Sequence, residues 1–382
     1  MKTIRVKVPG GAYPIHVGKD LFDQAGAILS EAGFSVPPIL VSNPAVLRLH
    51  GCRLLRSLQA SFGRVPRVVI GDGERYKSRA TLSSIHEALF RAGADRDSWI
   101  VAFGGGVVGD VAGFAAATFM RGIPFVNVPT TLLAQVDSAI GGKVGINVPQ
   151  GKNLIGAFHQ PRAVLSDPAV LRTLPERELA AGLYEVIKCA AIRSVPLLDF
   201  LERNLEDVLN CRPAPLEHII VAAARIKAGI VAADEKEKDL RVILNFGHTI
   251  GHALEAATGY RRFKHGEAVA WGMIGAIGLG TALGFPNGQE SVRLVQLIER
   301  VEPLPSMRDI RFEKVWAALE RDKKFRGGMF RMVLLPRLGE AAIRSDIDPQ
   351  RLRHFLKRFL QRGGDVQAAV PIPARKSSHA GK

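Results

Sequence analysis

The chain reads as an α/β dinucleotide-binding half followed by a mainly helical half, and three observations predict this. Short apolar runs alternate with helical segments over the first 160 residues. A glycine-rich turn, Phe103-Gly-Gly-Gly-Val-Val-Gly-Asp110, follows one such run and opens a helix. From about Pro175 strand runs nearly vanish and helical periodicity takes over. The expected division is a Rossmann-like domain over 1–160, a helical metal- and substrate-binding domain over 161–360, and a basic disordered tail over 361–382.

The elements follow in order. Ile4–Val8 and Tyr13–Val17 alternate around Pro-Gly-Gly, a hairpin signal. Pro38–Ser42, Arg67–Ile70, Trp99–Phe103 and Phe125–Val128 are apolar runs of the kind that parallel strands bury on both faces. Beyond Pro175 the only strand signals are a hairpin at Arg331–Leu335 and Ala341–Ser345. Ala268–Phe285 is an uncharged stretch of 18 residues, long enough to suggest a membrane span. Its five glycines, with small residues at Gly272, Ala276, Gly280 and Gly284, predict a tightly packed core helix instead. Leu352, Phe355, Leu356, Phe359 and Leu360 mark a basic amphipathic helix near the end.

At 47% hydrophobic and 23% charged residues the chain is globular rather than disordered. Cys52, Cys189 and Cys211 have no metal or redox spacing, which suits buried thiols in a reducing cytoplasm. The start, Met1-Lys-Thr-Ile-Arg, lacks the apolar core of a signal peptide. The net charge of +16 suggests nucleic acid, but residues 351–382 alone carry +7. The remainder is only moderately basic, so the expectation is an anionic small substrate, with neither nucleic acid nor membrane as partner.

Three clusters carry chemistry. Gly104, Gly106 and Gly109 fit dinucleotide spacing, although no acidic residue ends a strand about 20 positions on, as an ordinary Rossmann fingerprint requires. Asp137-Ser-Ala-Ile-Gly-Gly-Lys143, with Lys152-Asn153 shortly after, reads as a loop for phosphate and hydroxyl groups, pinned by Ile140, Val144, Ile146 and Val148. His248 and His252 are four apart on one helical face, and His265 can return from the next helix. With Glu185, Glu255 or Glu267 nearby, these imidazoles suffice for a zinc site. Asp234-Glu-Lys-Glu-Lys-Asp-Leu-Arg241 reads on its own as a solvated charged turn.

Gly104–Asp110, the run Pro129-Thr-Thr-Leu-Leu-Ala-Gln-Val-Asp-Ser-Ala-Ile-Gly-Gly-Lys143 and Leu244-Asn-Phe-Gly-His-Thr-Ile-Gly-His252 closely resemble the 3-dehydroquinate synthase family of sugar phosphate cyclases. The likeness runs in order from the first strand to about residue 360. It implies bound NAD, a divalent metal (zinc, with cobalt as substitute) and the substrate 3-deoxy-D-arabino-heptulosonate 7-phosphate. The implied metal ligands are Glu185, His248 and His265, which moves His252 to the substrate side.

By the same resemblance NAD is held by Asp72, Gly73, Glu74, Arg75, Tyr76 and Lys77, and by Gly106, Val107, Val108, Gly109 and Asp110. Thr130, Thr131, Lys143, Lys152 and the stretch Val170, Leu171, Arg172, Thr173 complete that set. Substrate and reaction fall to Asp137, Lys143, Asn153, Lys188, Lys227, Glu237, Arg241, Asn245 and His252, with Lys323 or Lys324. Arg121, placed before a strand where an unpaired buried cation would be costly, is implied to reach a neighbouring subunit's phosphate in a homodimer. Tyr184, Asp239 and Ser42-Asn43-Pro44 depart from the usual pattern.

The implied chemistry is oxidation of a ring carbinol by NAD, elimination of phosphate, reduction, ring opening and aldol closure, in aromatic amino acid biosynthesis. A sister cyclase making 2-deoxy-scyllo-inosose or an epi-valiolone would share the cofactor and metal sites. A metal-dependent polyol dehydrogenase would release NADH, and the Asp137–Lys143 motif argues against it.

Overall fold

A computed structural model describes residues 1–285, 288–321, 325–326 and 329–364. Contacts divide the chain into two compact units, Met1–Val186 with Asn204–Arg241, and Ile187–Arg203 with Val242 onward. In chain order the first stretch holds β1 (Lys2–Val8), β2 (Gly11–Val17), α1 (Leu21–Glu31), β3 (Ile39–Ser42), α2 (Pro44–Val46), α3 (Cys52–Phe62), β4 (Arg67–Val69) and α4 (Arg79–Arg91). There follow β5 (Ile100–Gly104), α5 (Gly106–Thr118), β6 (Phe125–Pro129), β7 (Lys143–Val148), β8 (Gly151–Phe158) and β9 (Ala163–Ser166). Then come α6 (Glu176–Arg193), α7 (Val195–Leu209) and α8 (Pro213–Ala233). The division passes through α6 and through α7, where Asn204 breaks helical geometry at φ −122°.

The first unit is built on a seven-stranded sheet in the order β1-β2-β9-β6-β5-β3-β4. The β1–β2 hairpin is antiparallel and every other pairing is parallel. All five residues of β5 and of β6 are buried, as parallel strands covered on both faces must be. The chain leaves β3 for β4 at the edge and then returns to β5 on the other side of β3. The loops after β3 and β5 therefore diverge at the switch point where α/β sheets bind ligands. Ile85 and Leu89 of α4 pack with Val108, Val111 and Ala112 of α5 in the core against that sheet.

Two short elements escaped the sequence. Lys143 to Phe158, expected as a lysine-rich loop, is the antiparallel β7–β8 hairpin, and the loop shrinks to Ala139–Gly142. The alternation of Val144, Ile146 and Val148, taken as a loop's anchors, is the period of a strand. The four residues of β9 were too few to stand out. The boundary expected at residue 160 also differs from the observed units. Residues 161–186 and the whole of α8 belong with the sheet.

The second unit holds α9 (His248–Ala257), α10 (His265–Ala282), α11 (Gly288–Glu299), α12 (Phe312–Arg321), a sheet of β10 (Phe325–Arg326), β11 (Met329–Arg337) and β12 (Glu340–Ile347), and α13 (Pro349–Gln361). The predicted late hairpin is β11–β12. The stretch once suggestive of a membrane span is α10, buried over nearly its whole length. Among the described residues no helix is long and apolar enough to cross a membrane. Of the three thiols only Cys189 is buried; Cys52 is exposed, against expectation, because it sits on the outer face of α3. Residues 365–382 of the expected tail lie outside the described residues.

Backbone contact sets the α9–α10 crossing. A Cβ on Gly272 would lie 1.8 Å from the Gly247 carbonyl oxygen, and one on Gly251 would lie 2.7 Å from that of Ala268. Gly272→Ala is expected to cost about 2 kcal/mol through overpacking, read as a lowered midpoint in denaturant. Gly229→Ala on α8 meets nothing within 4 Å. It should raise stability by up to about 1 kcal/mol through helix propensity. Equal effects of the two substitutions would contradict this packing.

Candidate active site

In the first unit the expected nucleotide residues gather around one lysine. Lys77 follows the short helical turn Glu74–Tyr76 and is 5% exposed. Its ammonium contacts both the Asp110 carboxylate and the Asn153 side-chain oxygen. Burial pushes the Asp110 carboxyl above the ordinary range, and Lys77 opposes that push. Asn147 completes the junction. Its amide N–H donates to the Lys77 carbonyl at 2.8 Å, and its side chain donates to Glu74 Oε1 at 2.7 Å. Asn153, implied by the resemblance to face the substrate, contacts Lys77 beside Asp110 and adopts φ +56°, its backbone N–H donating to Asn147 Oδ1 at 3.0 Å.

The other nucleotide positions lie on neighbouring strand ends. Gly106 to Asp110 form the first turn of α5, where the leading backbone N–H groups have no acceptor within the helix. Thr130 and Thr131 follow β6, and the Thr130 N–H donates to the Gly104 carbonyl at 3.0 Å. Asn43 Nδ2 donates to Asp72 Oδ1 at 3.0 Å, so the departure at Ser42-Asn43-Pro44 still meets the Asp72 turn. Val170 to Thr173 lie on a short helix capped by Asp167, with His50 Nε2 2.9 Å from Thr173 Oγ1.

The glycine–lysine motif and the acidic turn, far apart in sequence, form one assembly within this unit. Asp137 sits on a π-helical turn, Ala134–Ser138. Lys227, 5% exposed on α8, donates at 2.6 Å to both the Asp137 carboxylate and its carbonyl. Arg241 donates through Nη2 to the Gly141 carbonyl at 3.0 Å and through Nη1 to the Glu235 carbonyl. Burial holds the Arg241 guanidinium below its ordinary pKa. Lys143 pairs with Glu237, and Gln160 donates to Glu235 Oε1 at 2.9 Å. The turn read as solvated is thus a clasp around Gly141 to Lys143. Sequence reasoning missed Glu235, Gln160 and Tyr13, whose hydroxyl accepts from the Gly141 N–H at 3.0 Å. Tyr13 carried only the signal of an inward strand position.

In the second unit three imidazoles converge. His248, His252 and His265 offer ligand atoms that all lie within 4.8 Å of one another. His248 opens α9 and His265 opens α10, so the glycine-permitted crossing of these helices sets their separation. His248 Nδ1 faces the Phe246 carbonyl at 3.2 Å, and His265 Nδ1 faces Glu255 Oε2 at 3.3 Å. Both partners favour a proton on Nδ1, which puts the ring's lone pair on Nε2. Glu267 is instead the helix cap of α10, accepting from the Lys264 amide at 2.7 Å. Asn245 ends the turn that leads into α9, and Lys188 is buried on α6.

Three expected residues need separate comment. Glu185 is 1% exposed on α6, in the first unit. Arg121 is exposed rather than buried, because Met120 and Arg121 both adopt left-handed backbone, at φ +49° and +67°, and turn the side chain outward. Lys323 and Lys324 lie outside the described residues.

Residues 67–181 match the family described as 3-dehydroquinate synthase N-terminal, and residues 182–325 match 3-dehydroquinate synthase C-terminal. A 3-dehydroquinate synthase from Solibacter usitatus is 51% identical over 350 residues, covering 91% of this chain and 96% of the relative. A 2-epi-5-epi-valiolone synthase from Streptomyces hygroscopicus subsp. jinggangensis, solved with NAD+ and Zn2+ bound, is 28% identical with a TM-score of 0.82, covering 92% and 97% of the two chains. A 2-deoxy-scyllo-inosose synthase complexed with carbaglucose-6-phosphate, NAD+ and Co2+ is also 28% identical, with a TM-score of 0.81 and coverage of 95% and 100%.

The clasp depends on Asp234, whose carboxylate accepts from the amides of Lys238, Asp239 and Arg241 at 3.0, 2.8 and 3.0 Å. Desolvation works to raise its pKa, but these bonds and the Arg241 charge outweigh it and hold the group below its ordinary value. Its contribution is therefore present above the unfolded pKa of about 4 and lost as pH falls through the lower folded value. Asp234→Ala should cost about 1–3 kcal/mol near pH 7 and flatten the acid limb of a stability–pH profile. Identical profiles for the two proteins would deny the carboxylate this role.

Proposed function

The chain belongs to the 3-dehydroquinate synthase family, and we propose that it converts 3-deoxy-D-arabino-heptulosonate 7-phosphate to 3-dehydroquinate and phosphate. The observation that carries this reading is the 51% identity with a 3-dehydroquinate synthase along 91% of the chain. The cyclases of other products stand at 28%. On this reading the protein is a phosphate-eliminating lyase of aromatic amino acid biosynthesis, working in the cytoplasm as a homodimer.

NAD, when bound, supplies a reversible hydride acceptor, and zinc or cobalt supplies a Lewis acid for a ring oxygen. The Lys77–Asp110–Asn153 junction and the start of α5 hold the cofactor phosphates, a role supported by the helix-start N–H groups and the Lys77 ammonium there. His248 and His265 are metal ligands with Glu185 as the carboxylate. The Nδ1 partners of both histidines support this, since a proton held on Nδ1 puts the ring's lone pair on Nε2. Asp137 accepts hydrogen bonds from substrate hydroxyls, its geometry fixed by Lys227. Lys143 and Arg241 offset developing charge on the departing phosphate and ring oxygens, and both are oriented by the clasp.

Phosphate release separates the sister cyclases. Turnover is expected with the heptulosonate phosphate and not with glucose 6-phosphate or sedoheptulose 7-phosphate, without net NADH formation. A reversed preference would assign another cyclase, and steady NADH would assign a dehydrogenase.

The metal assignment divides the three imidazoles. His248→Ala should lose bound metal by elemental analysis. His252→Ala should keep it while turnover falls by roughly two orders of magnitude or more, as when a transition-state contact is removed. Loss of metal in His252→Ala alone would move that residue into the ligand set.

Arg121 tests the assembly. It is exposed and has no hydrogen-bond or ion-pair partner among the described residues. Two successive left-handed residues hold it there, a costly arrangement that a contact with a neighbouring subunit's substrate would justify. Mixing inactive Arg121→Ala with inactive His248→Ala should regenerate activity, because one site of the mixed dimer carries both native residues. Proven heterodimers without activity would argue for sites complete in one subunit.

A further inference from the structure

Gly141 is gripped through the two peptide units that flank its Cα. Its N–H donates to the Tyr13 hydroxyl at 3.0 Å, and its carbonyl accepts from Arg241 Nη2 at 3.0 Å. The fit leaves no slack. Gly141 adopts φ +97°, and a Cβ there would lie 2.5 Å from Arg241 Nη2 and 2.8 Å from Val231 Cγ2. Tyr13 is 3% exposed and Arg241 2% exposed, so neither can swing away to solvent. Tyr13 is further fixed by its strand, where it pairs with Val6 of β1 and points inward with Ile15 and Val17.

We propose that Tyr13 is a positioning residue for the reaction: through the backbone at Gly141 it sets where the Arg241 guanidinium and the turn into Lys143 are held. The inference rests on the reading of Arg241 and Lys143 as substrate-binding groups. It does not make Tyr13 an acid or base. Burial, opposed by the Gly141 bond and by Arg241, pushes its phenol up to about 12, so it stays neutral at physiological pH. A neutral oxygen suits the place. It satisfies a buried N–H and adds no charge beside a guanidinium already committed to two carbonyls.

The same contact orders the far side of the clasp. Arg241 also holds the Glu235 carbonyl, and Lys143, two residues after Gly141, pairs with Glu237. With the 140–141 peptide released from Tyr13, glycine at 141 can turn about its Cα, and Arg241 then loses the 141–142 carbonyl, one of its two fixed acceptors. The cost falls on substrate placement rather than on folding, since Tyr13→Phe keeps the ring in its packed position.

The test compares full-length wild type, Tyr13→Phe, Arg241→Lys and the double variant by phosphate release and by hydrogen exchange of peptide segments. Tyr13→Phe should raise KM for the heptulosonate phosphate about tenfold, the worth of one hydrogen bond, with a smaller change in kcat and unchanged NAD affinity. Exchange should rise over residues 139–143 and 234–241 together. In the Arg241→Lys background the effect of Tyr13→Phe on KM should shrink to less than about twofold, because the pair acts as one unit. Fully additive effects, or faster exchange at 139–143 alone, would overturn the proposal. The exchange pattern does not need turnover. A wild type inert toward the heptulosonate phosphate therefore defeats the functional reading separately, while the exchange data still decide whether Tyr13 and Arg241 are linked.

Discussion

Burying a guanidinium is the constraint from which the arrangement of the first unit follows. Arg241 has five N–H donors and no acceptor, and at 2% exposure it cannot leave them to water. It finds backbone carbonyls at Gly141 and Glu235, and in doing so joins segments 100 residues apart. That choice dictates its neighbours. Gly141 must lack a side chain, Tyr13 must meet its backbone N–H, and Asp234 must hold the turn from which Arg241 projects. A cation fixed in this way keeps its charge and has little freedom left to lose when a substrate binds.

Lys77 applies the same logic at a second junction in this unit. One ammonium serves Asp110 at the start of α5 and Asn153 on β8, so the glycine-rich turn, the Asp72–Lys77 turn and the β7–β8 hairpin share a single junction. The sheet supplies the scaffold by reversing its strand order at β3 and β5, which opens the loops above their ends. The ion pair then brings the hairpin to that opening. Asp110 is partly desolvated there, and removing Lys77 would leave its carboxylate without its counter-charge.

In the second unit the constraint is steric rather than electrostatic. The helices carrying His248 and His265 touch backbone to backbone, because Gly251 and Gly272 leave nothing between them. Bulkier residues would part the helices and with them the imidazoles, whose ligand atoms now lie within 4.8 Å. Glu255 and the Phe246 carbonyl then select the tautomers. The small-residue pattern of α10, read alone, suggested tight packing. Its purpose is visible only in what the packing holds in place.

Local sequence was sufficient wherever a signal had the period of its element. The parallel strands β3 to β6, the first and last hairpins, the packed core helix over Ala268–Phe285 and the helical spacing of His248 and His252 were all legible, because burial imprints its period on neighbouring residues. The motifs that resemble the synthases also named most of the residues now seen gathered together. What the sequence could not contain was partnership across long separations. Nothing near Tyr13 indicates Gly141, nothing in the acidic turn announces a clasp rather than a solvated loop, and β7 passed for a loop because its alternation was short and glycine-flanked. Arg121 was misjudged as buried for the same reason, since two left-handed residues in succession cannot be read from composition. Periodicity is a local property of the chain. Which carbonyl a buried cation finds is settled only when the tertiary fold excludes water from both.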